Sequence, residues 1–245
     1  MKHHDYVVIT SSRTGSTWLI DILNEVPGVA SYGELFLGHG RLAPAIATRA
    51  DYPRFCESRP RQCSWRPISV WAYLDQLFQL HRHVGFKLMY SQLRAFPEVI
   101  PYCAFRRIRV LHLVRRNLVD VIISDELAKA TGQSHQSGEP GGSPMVYLDP
   151  ATLVQRLRAR NRSVNRVRRL LQLSTCRCLE VGYEKLTEGT GEFARIQDFL
   201  GIEGELATAR SKLSKRGRQE HSKAIINYEE VRQLLGSTRF ADMVR

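Results

Sequence analysis

The sequence predicts an α/β fold: a single three-layer domain with a central parallel sheet and a P-loop-like anion-binding loop after its first strand. Three observations carry this expectation. Short β-rich runs alternate with helical patterns along the chain. The first such run ends in a Ser/Thr/Gly turn that opens directly into a helix. No internal repeat or composition shift divides the 245 residues, so one domain over 1–245 is expected.

The elements follow in order. Tyr6 to Thr10 is apolar and β-branched and reads as the first strand. Ser11-Ser12-Arg13-Thr14-Gly15-Ser16-Thr17 is the turn, and Trp18 to Val26 an amphipathic helix that Pro27-Gly28 ends. Residues 38 to 67 are loop-rich. A helix from about Ser69 to Arg82 leads into a strand from Val84 to Met89. The next strand, Val110 to Val114, feeds a helix from Asn117 to about Ala130. Residues 131 to 144 are a Gly/Ser/Gln/Pro patch that reads as a lid or a mobile loop. A long helix from Ala151 to Leu173, a strand from Cys176 to Val181, and helices near Gly191–Leu200 and Asn227–Leu235 complete the chain.

Composition narrows the function classes. Lys plus Arg number 36 against 24 Asp plus Glu, a formal net charge of +12 with 43% apolar residues. That surplus favours anionic partners and by itself does not say which. Apolar content is too high for disorder, and no apolar run reaches the roughly 18 residues of a membrane span. Without a signal-peptide pattern before Tyr6, a cytoplasmic location is expected. The five cysteines include no C-x-x-C pair, and the eight histidines take no metal-ligand spacing, so no metal is expected. Cys56 and Cys63 are close enough in sequence for a local disulfide, although the cytosolic context favours a reduced chain. Cys176 and Cys178 alternate on the expected strand and would share a buried face.

The turn after the first strand carries the chemistry. Free backbone N–H groups and the positive end of a helix dipole make an anion cradle. Gly15 permits close backbone approach, and Arg13 adds a fixed cation. The nucleoside-triphosphate loop G-x-x-x-x-G-K-[ST], aligned on Gly15, has Thr10 at its first glycine and Ser16 at its lysine. A P-loop-type nucleotide kinase therefore lacks its phosphate lysine. An ordinary Ser/Thr-capped helix start is the bland alternative.

Ser11 to Leu19 resembles the phosphosulfate loop of sulfotransferases that use 3′-phosphoadenosine 5′-phosphosulfate (PAPS), in particular the bacterial carbohydrate-type, Stf-like branch. The resemblance implies donor binding by Arg13, Thr14, Gly15, Ser16 and Thr17, release of adenosine 3′,5′-bisphosphate (PAP), and no metal. Four further segments extend it. Leu113 to Ser124 is similar to the family's 3′-phosphate motif, an Arg followed eight positions later by a Ser, here Arg116 and Ser124. Arg115 is the rival if the register slips by one. Gly33-Glu34-Leu35-Phe36 looks like the segment that carries the family's catalytic base, which implies Glu34. His112, inside a strand, is poorly placed to be the histidine base of the cytosolic branch. Gly182-Tyr183-Glu184-Lys185-Leu186 and Phe199-Leu200-Gly201-Ile202 resemble a strand end and a helix end of the family, which implies Tyr183 near the adenine. Lys215-Arg216-Gly217 and the segment from Ile226 to Phe240 look like the C-terminal part of bacterial members, which implies Lys215 and Arg216 over the nucleotide. Gly85 to Tyr90 and Thr131 to His135 are also similar to segments of that branch, the second with Ser134 where Trp is commoner.

The long helix departs from these relatives. Arg156, Arg158, Arg160, Arg162, Arg166, Arg168 and Arg169 fall on it, and no acid occurs between Asp149 and Glu180. A solvated face is one reading. A platform for an anionic acceptor, a glycolipid or a membrane surface is another. Specific nucleic-acid binding is not expected, because no nucleic-acid motif accompanies the charge. The expected activity is sulfuryl transfer from PAPS to an acceptor hydroxyl, of a carbohydrate, glycolipid or other small metabolite, with Glu34 as base and Arg13 stabilising the leaving phosphate. A non-catalytic anion- or nucleic-acid-binding module remains a further alternative.

Overall fold

In a computed structural model, which describes residues 4–38, 52–58, 65–131, 145–189, 191–203 and 220–244, the five strands form one all-parallel sheet. They are β1 (Tyr6–Thr10), β2 (Val29–Glu34), β3 (His83–Met89), β4 (Arg109–Val114) and β5 (Cys178–Gly182), in the spatial order β2-β3-β1-β4-β5. The helices are α1 (Ser16–Asn24), α2 (Phe55–Ser58), α3 (Arg66–Leu77), α4 (Tyr90–Ala95), α5 (Val99–Arg106), α6 (Leu118–Thr131), α7 (Pro150–Leu173), α8 (Tyr183–Glu188), α9 (Gly191–Leu200), α10 (His221–Ala224) and α11 (Tyr228–Gly236). Two compact units divide them: 1–114 with 167–212, and 115–166 with 213–245.

The first unit holds the sheet. Its central strand is apolar on both faces, as a parallel strand covered on both sides must be. Val7 and Ile9 join Val84, Phe86, Leu88 and Val110 on one face, under residues of α3, α5 and the C-terminal end of α7. Tyr6 and Val8 join Leu111, Leu113 and Val181 on the other, under Leu19, Ile20 and Leu23 of α1 and Phe193, Ile196 and Leu200 of α9. Tyr6 lies opposite Gly85, where a Cβ would overlap its ring, so only glycine admits the tyrosine there. The expected strand over 176–181 begins at Cys178, and Cys178 is exposed, not buried. Cys63 lies outside the described residues.

The second unit packs α6, α7 and α11 around Val119, Ile122, Leu148, Leu153, Leu157, Ile225 and Leu235. Asn117 caps α6: its Oδ1 accepts the N–H groups of Val119 (3.0 Å) and Asp120 (3.2 Å). Asp149 does the same for Ala151 at the start of α7 (3.0 Å). Among the described residues no helix is long and apolar enough to cross a membrane.

Candidate active site

The turn between β1 and α1 is built from two left-handed residues, Arg13 (φ 62°) and Gly15 (φ 76°). Gly15 is the residue before α1, and it brings no side chain to cap the helix. The first backbone N–H groups of a helix have no partner within it. The Thr10 hydroxyl donates to the Leu113 carbonyl (3.0 Å) and pairs with the Thr14 hydroxyl (2.5 Å), which ties the turn to β4. Thr14, Ser16 and Thr17 are all buried. The Tyr183 ring lies directly against Gly15, where an added Cβ would strike it, and meets Trp18 edge-on at 6.3 Å. The structure thus places Tyr183 as a wall of the turn.

Glu34 ends β2, and a bulge sets its direction. Tyr32 pairs with Phe86 and Glu34 with Lys87, leaving Gly33 as the extra residue. In an unbroken strand Glu34 would share the apolar face of Tyr32. The bulge turns it to the opposite face, beside Lys87. There Lys87 Nζ lies 3.0 Å from Glu34 Oε1 and donates to the Thr17 hydroxyl at 3.4 Å. Lys87 is 3% exposed and Glu34 14%. Gln92 Nε2 donates to the other carboxylate oxygen, Oε2, at 2.9 Å. The base expected from the resemblance is therefore held by two donors, one of which reaches the first turn of α1. Lys87 and Gln92 escaped the sequence reading. The only signal was a lysine inside an otherwise apolar strand.

His112 is 1% exposed on the face opposite Lys87. It joins Tyr90 to Glu180, and Glu180 to Arg168. Burial lowers its pKa from the ordinary histidine value, although Glu180 opposes the shift.

In the second unit, β4 has ended at Val114 and the chain passes through Arg115 and Arg116 into α6. Arg115 pairs with Asp120 (2.9 Å), whose other oxygen accepts from His221 Nε2 (2.7 Å). Burial alone would raise the Asp120 pKa, but His221 and Arg115 outweigh it and hold the carboxyl below its ordinary value. Arg116 is exposed, and Ser124 is half-buried on α6. Lys215 and Arg216 lie outside the described residues, as do most of 38–67 and 132–144.

The arginines of α7 divide into two sets. Arg156 pairs with Glu126, Arg160 with Asp125, and Arg168 with Glu180 in a two-point contact (2.7 and 2.9 Å). Arg158, Arg162, Arg166 and Arg169 are exposed, and helical geometry puts them within an arc of about 80°.

No protein-family model matches the chain. The chain is similar to nodulation protein H of Rhizobium meliloti, with 26% identity over 231 residues, 93% of this chain and 89% of that protein. That distant homology covers nearly the full length of both chains and, together with the motif series from Ser11 to Phe240, supports an enzyme of the PAPS-dependent sulfotransferase kind.

Proposed function

We propose that the chain transfers a sulfuryl group from PAPS to the hydroxyl of a carbohydrate, glycolipid or other small metabolite, with Glu34 as the general base. The observation that carries this reading is the line Glu34–Lys87–Thr17, which joins a carboxylate to the first turn of α1 through one buried ammonium. A base for this chemistry must sit beside the group being transferred, and the transferred group must sit at the anion cradle.

The P-loop-like turn fits the 5′ end of the donor. Arg13 and the N–H groups of residues 14–17 would hold its phosphate and sulfate, and Gly15 allows the backbone to approach. Arg116 and Ser124 would hold the 3′-phosphate. Tyr183, beside Gly15, is near enough to the turn to border the nucleotide, and Lys215 and Arg216 are proposed to cover it. The donor supplies an electrophilic sulfur and a phosphate leaving group. Glu34 takes the proton of the acceptor hydroxyl while the new O–S bond forms. The S–O bond to the phosphate breaks, and its electron pair leaves with PAP. Arg13 and the cradle N–H groups stabilise the negative charge that grows on that oxygen, and Lys87 adds a second cation between base and cradle. No metal ligand is required in these steps. The exposed arginines of α7 support an anionic acceptor or a glycolipid surface as its carrier.

The test is calorimetric titration with PAP against adenosine 5′-monophosphate, repeated on Arg116→Ala. Preference for PAP of about tenfold or more, lost in Arg116→Ala, is expected from one charge-assisted phosphate contact. Equal affinity for the two nucleotides in the unaltered protein would overturn the donor assignment.

A further inference from the structure

Gln92 occupies a position that the transfer reaction has not yet used. It is the third residue of α4 and 6% exposed. A glutamine amide has one accepting and one donating end. The Met89 backbone N–H donates to Gln92 Oε1 at 3.0 Å, and a backbone N–H can only donate. That contact fixes the amide orientation, so the end facing Glu34 is the Nε2 donor, 2.9 Å from Oε2. Lys87 approaches the other oxygen at 3.0 Å. Glu34 is thus met by a donor on each oxygen, an arrangement that fixes the plane of the carboxylate. A lone pair remains on each oxygen for an incoming proton.

The start of α4 is itself anchored. Tyr90, its first residue, lies 2.7 Å through its hydroxyl from His112 Nε2. His112 Nδ1 lies 3.1 Å from Glu180 Oε2. An ionised Glu180, doubly held by Arg168, can only accept, so Nδ1 carries the proton and Nε2 accepts from Tyr90. Four side chains on β4, β5, α4 and α7 therefore hold one helix terminus in place, on a buried face away from Glu34. His112, 1% exposed, has a partner at each ring nitrogen, while Glu180 and Arg168 are each more than a third exposed.

We propose that Gln92 is the positioning residue for Glu34, with the Tyr90–His112–Glu180–Arg168 chain as the support that keeps its amide aimed. The inference rests on Glu34 being the base. Lys87 on β3 and Gln92 on α4 are the groups that contact it directly, and Thr17 on α1 contacts Lys87.

The test is the pH dependence of turnover, read as PAP released from PAPS with water as the acceptor. Gln92→Met keeps the length of the side chain and removes the donor. Its acid limb is expected to move to higher pH by about one unit, the value of one hydrogen bond to a charged group. PAP affinity should stay the same. Tyr90→Phe retains the ring and Gln92, so its limb should move the same way by less, and this variant serves if Gln92→Met fails to fold. An acid limb that stays in place in the folded variants overturns the positioning role. Glu34→Gln separates the two readings: turnover that survives there rejects the base itself, whereas loss there with unmoved limbs in the others rejects Gln92 alone.

Discussion

Replacing Lys87 with Met tests the ion pair at the centre of the site. The ammonium is 3% exposed and makes its ion pair with Glu34 at 3.0 Å, so methionine fills the same volume and removes the charge. Breaking a buried pair from one side costs about 3–5 kcal/mol, because the remaining charge stays out of water without its partner. Glu34 retains 14% exposure and the Gln92 donor, which puts the expectation at the low end, about 3 kcal/mol. For a chain of this size that is a fall of roughly 6–12 °C in Tm. Glu34→Gln alone leaves the ammonium buried and should cost a similar amount. The double variant removes both charges, and its amide can still accept from Gln92, so it should be more stable than either single variant. Thermal unfolding of the four proteins at neutral pH, arranged as a double-mutant cycle, reads the coupling directly. Costs that simply add, or a Lys87→Met protein as stable as the original, would refute a tight buried pair.

Two further outcomes follow from the geometry. Gly15→Ala forces a side chain into the left-handed region at φ 76°, at about 1–2 kcal/mol, and drives its Cβ into the Tyr183 ring. PAP affinity should fall by at least about tenfold. Calorimetry that finds the affinity unchanged would show that the turn is not the phosphate site. His112 has a folded pKa depressed by burial below its ordinary value, so the unfolded chain takes the proton first as pH falls. Its contribution to stability is complete above the unfolded value of 6.5 and is lost as pH drops from there through the folded value. Tm measured from pH 7.5 to 5 should decline in that window and decline less in His112→Gln. Asp120, Glu126 and Glu180 also have lowered values, so their contributions persist to lower pH and are lost below the ordinary carboxylate range.

What the sequence made legible follows from how local each signal is. β1, its turn and α1 were readable because an apolar β-branched run, a Ser/Thr/Gly turn and an amphipathic helix are contiguous. β2 was not, because Ala30, Ser31 and Gly33 dilute its pattern. Ser31 is held from outside the strand, by both ends of the Asn24 amide (2.9 and 2.6 Å). α5 carries Pro101 after Pro97, which reads as a break, yet Pro101 stands third in the helix, where a missing N–H is harmless. Glu34 was reached through the family resemblance, while its orientation depends on a bulge that no alternation rule contains. The arginines of α7 looked alike in sequence. Asp125 and Glu126, some thirty residues earlier on α6, select which of them turn inward, and pairing at that separation leaves no trace in spacing.

The sheet order explains why these scattered residues converge. β1 lies between β3 and β4: from its C-terminal end the chain runs to β2 and β3 on one side, and from β3 it crosses over to β4 on the other. In open parallel sheets ligands bind outside the strand ends at such a reversal. The turn after β1 occupies that edge, β3 supplies Lys87 next to it, and β2 supplies Glu34 one strand further out. Three consecutive parallel strands in space thus deliver cradle, cation and carboxylate in that order. The bulge at Gly33 is what makes the third delivery work. With Gly33 kept in an unbroken register, Gly33 would pair with Lys87 and Glu34 with Leu88, which would turn Glu34 into the face of Tyr32 and Phe86 and strand a carboxylate among apolar side chains. The site and the irregularity in β2 are therefore one feature: the strand gives up a regular register so that its last residue can face the lysine.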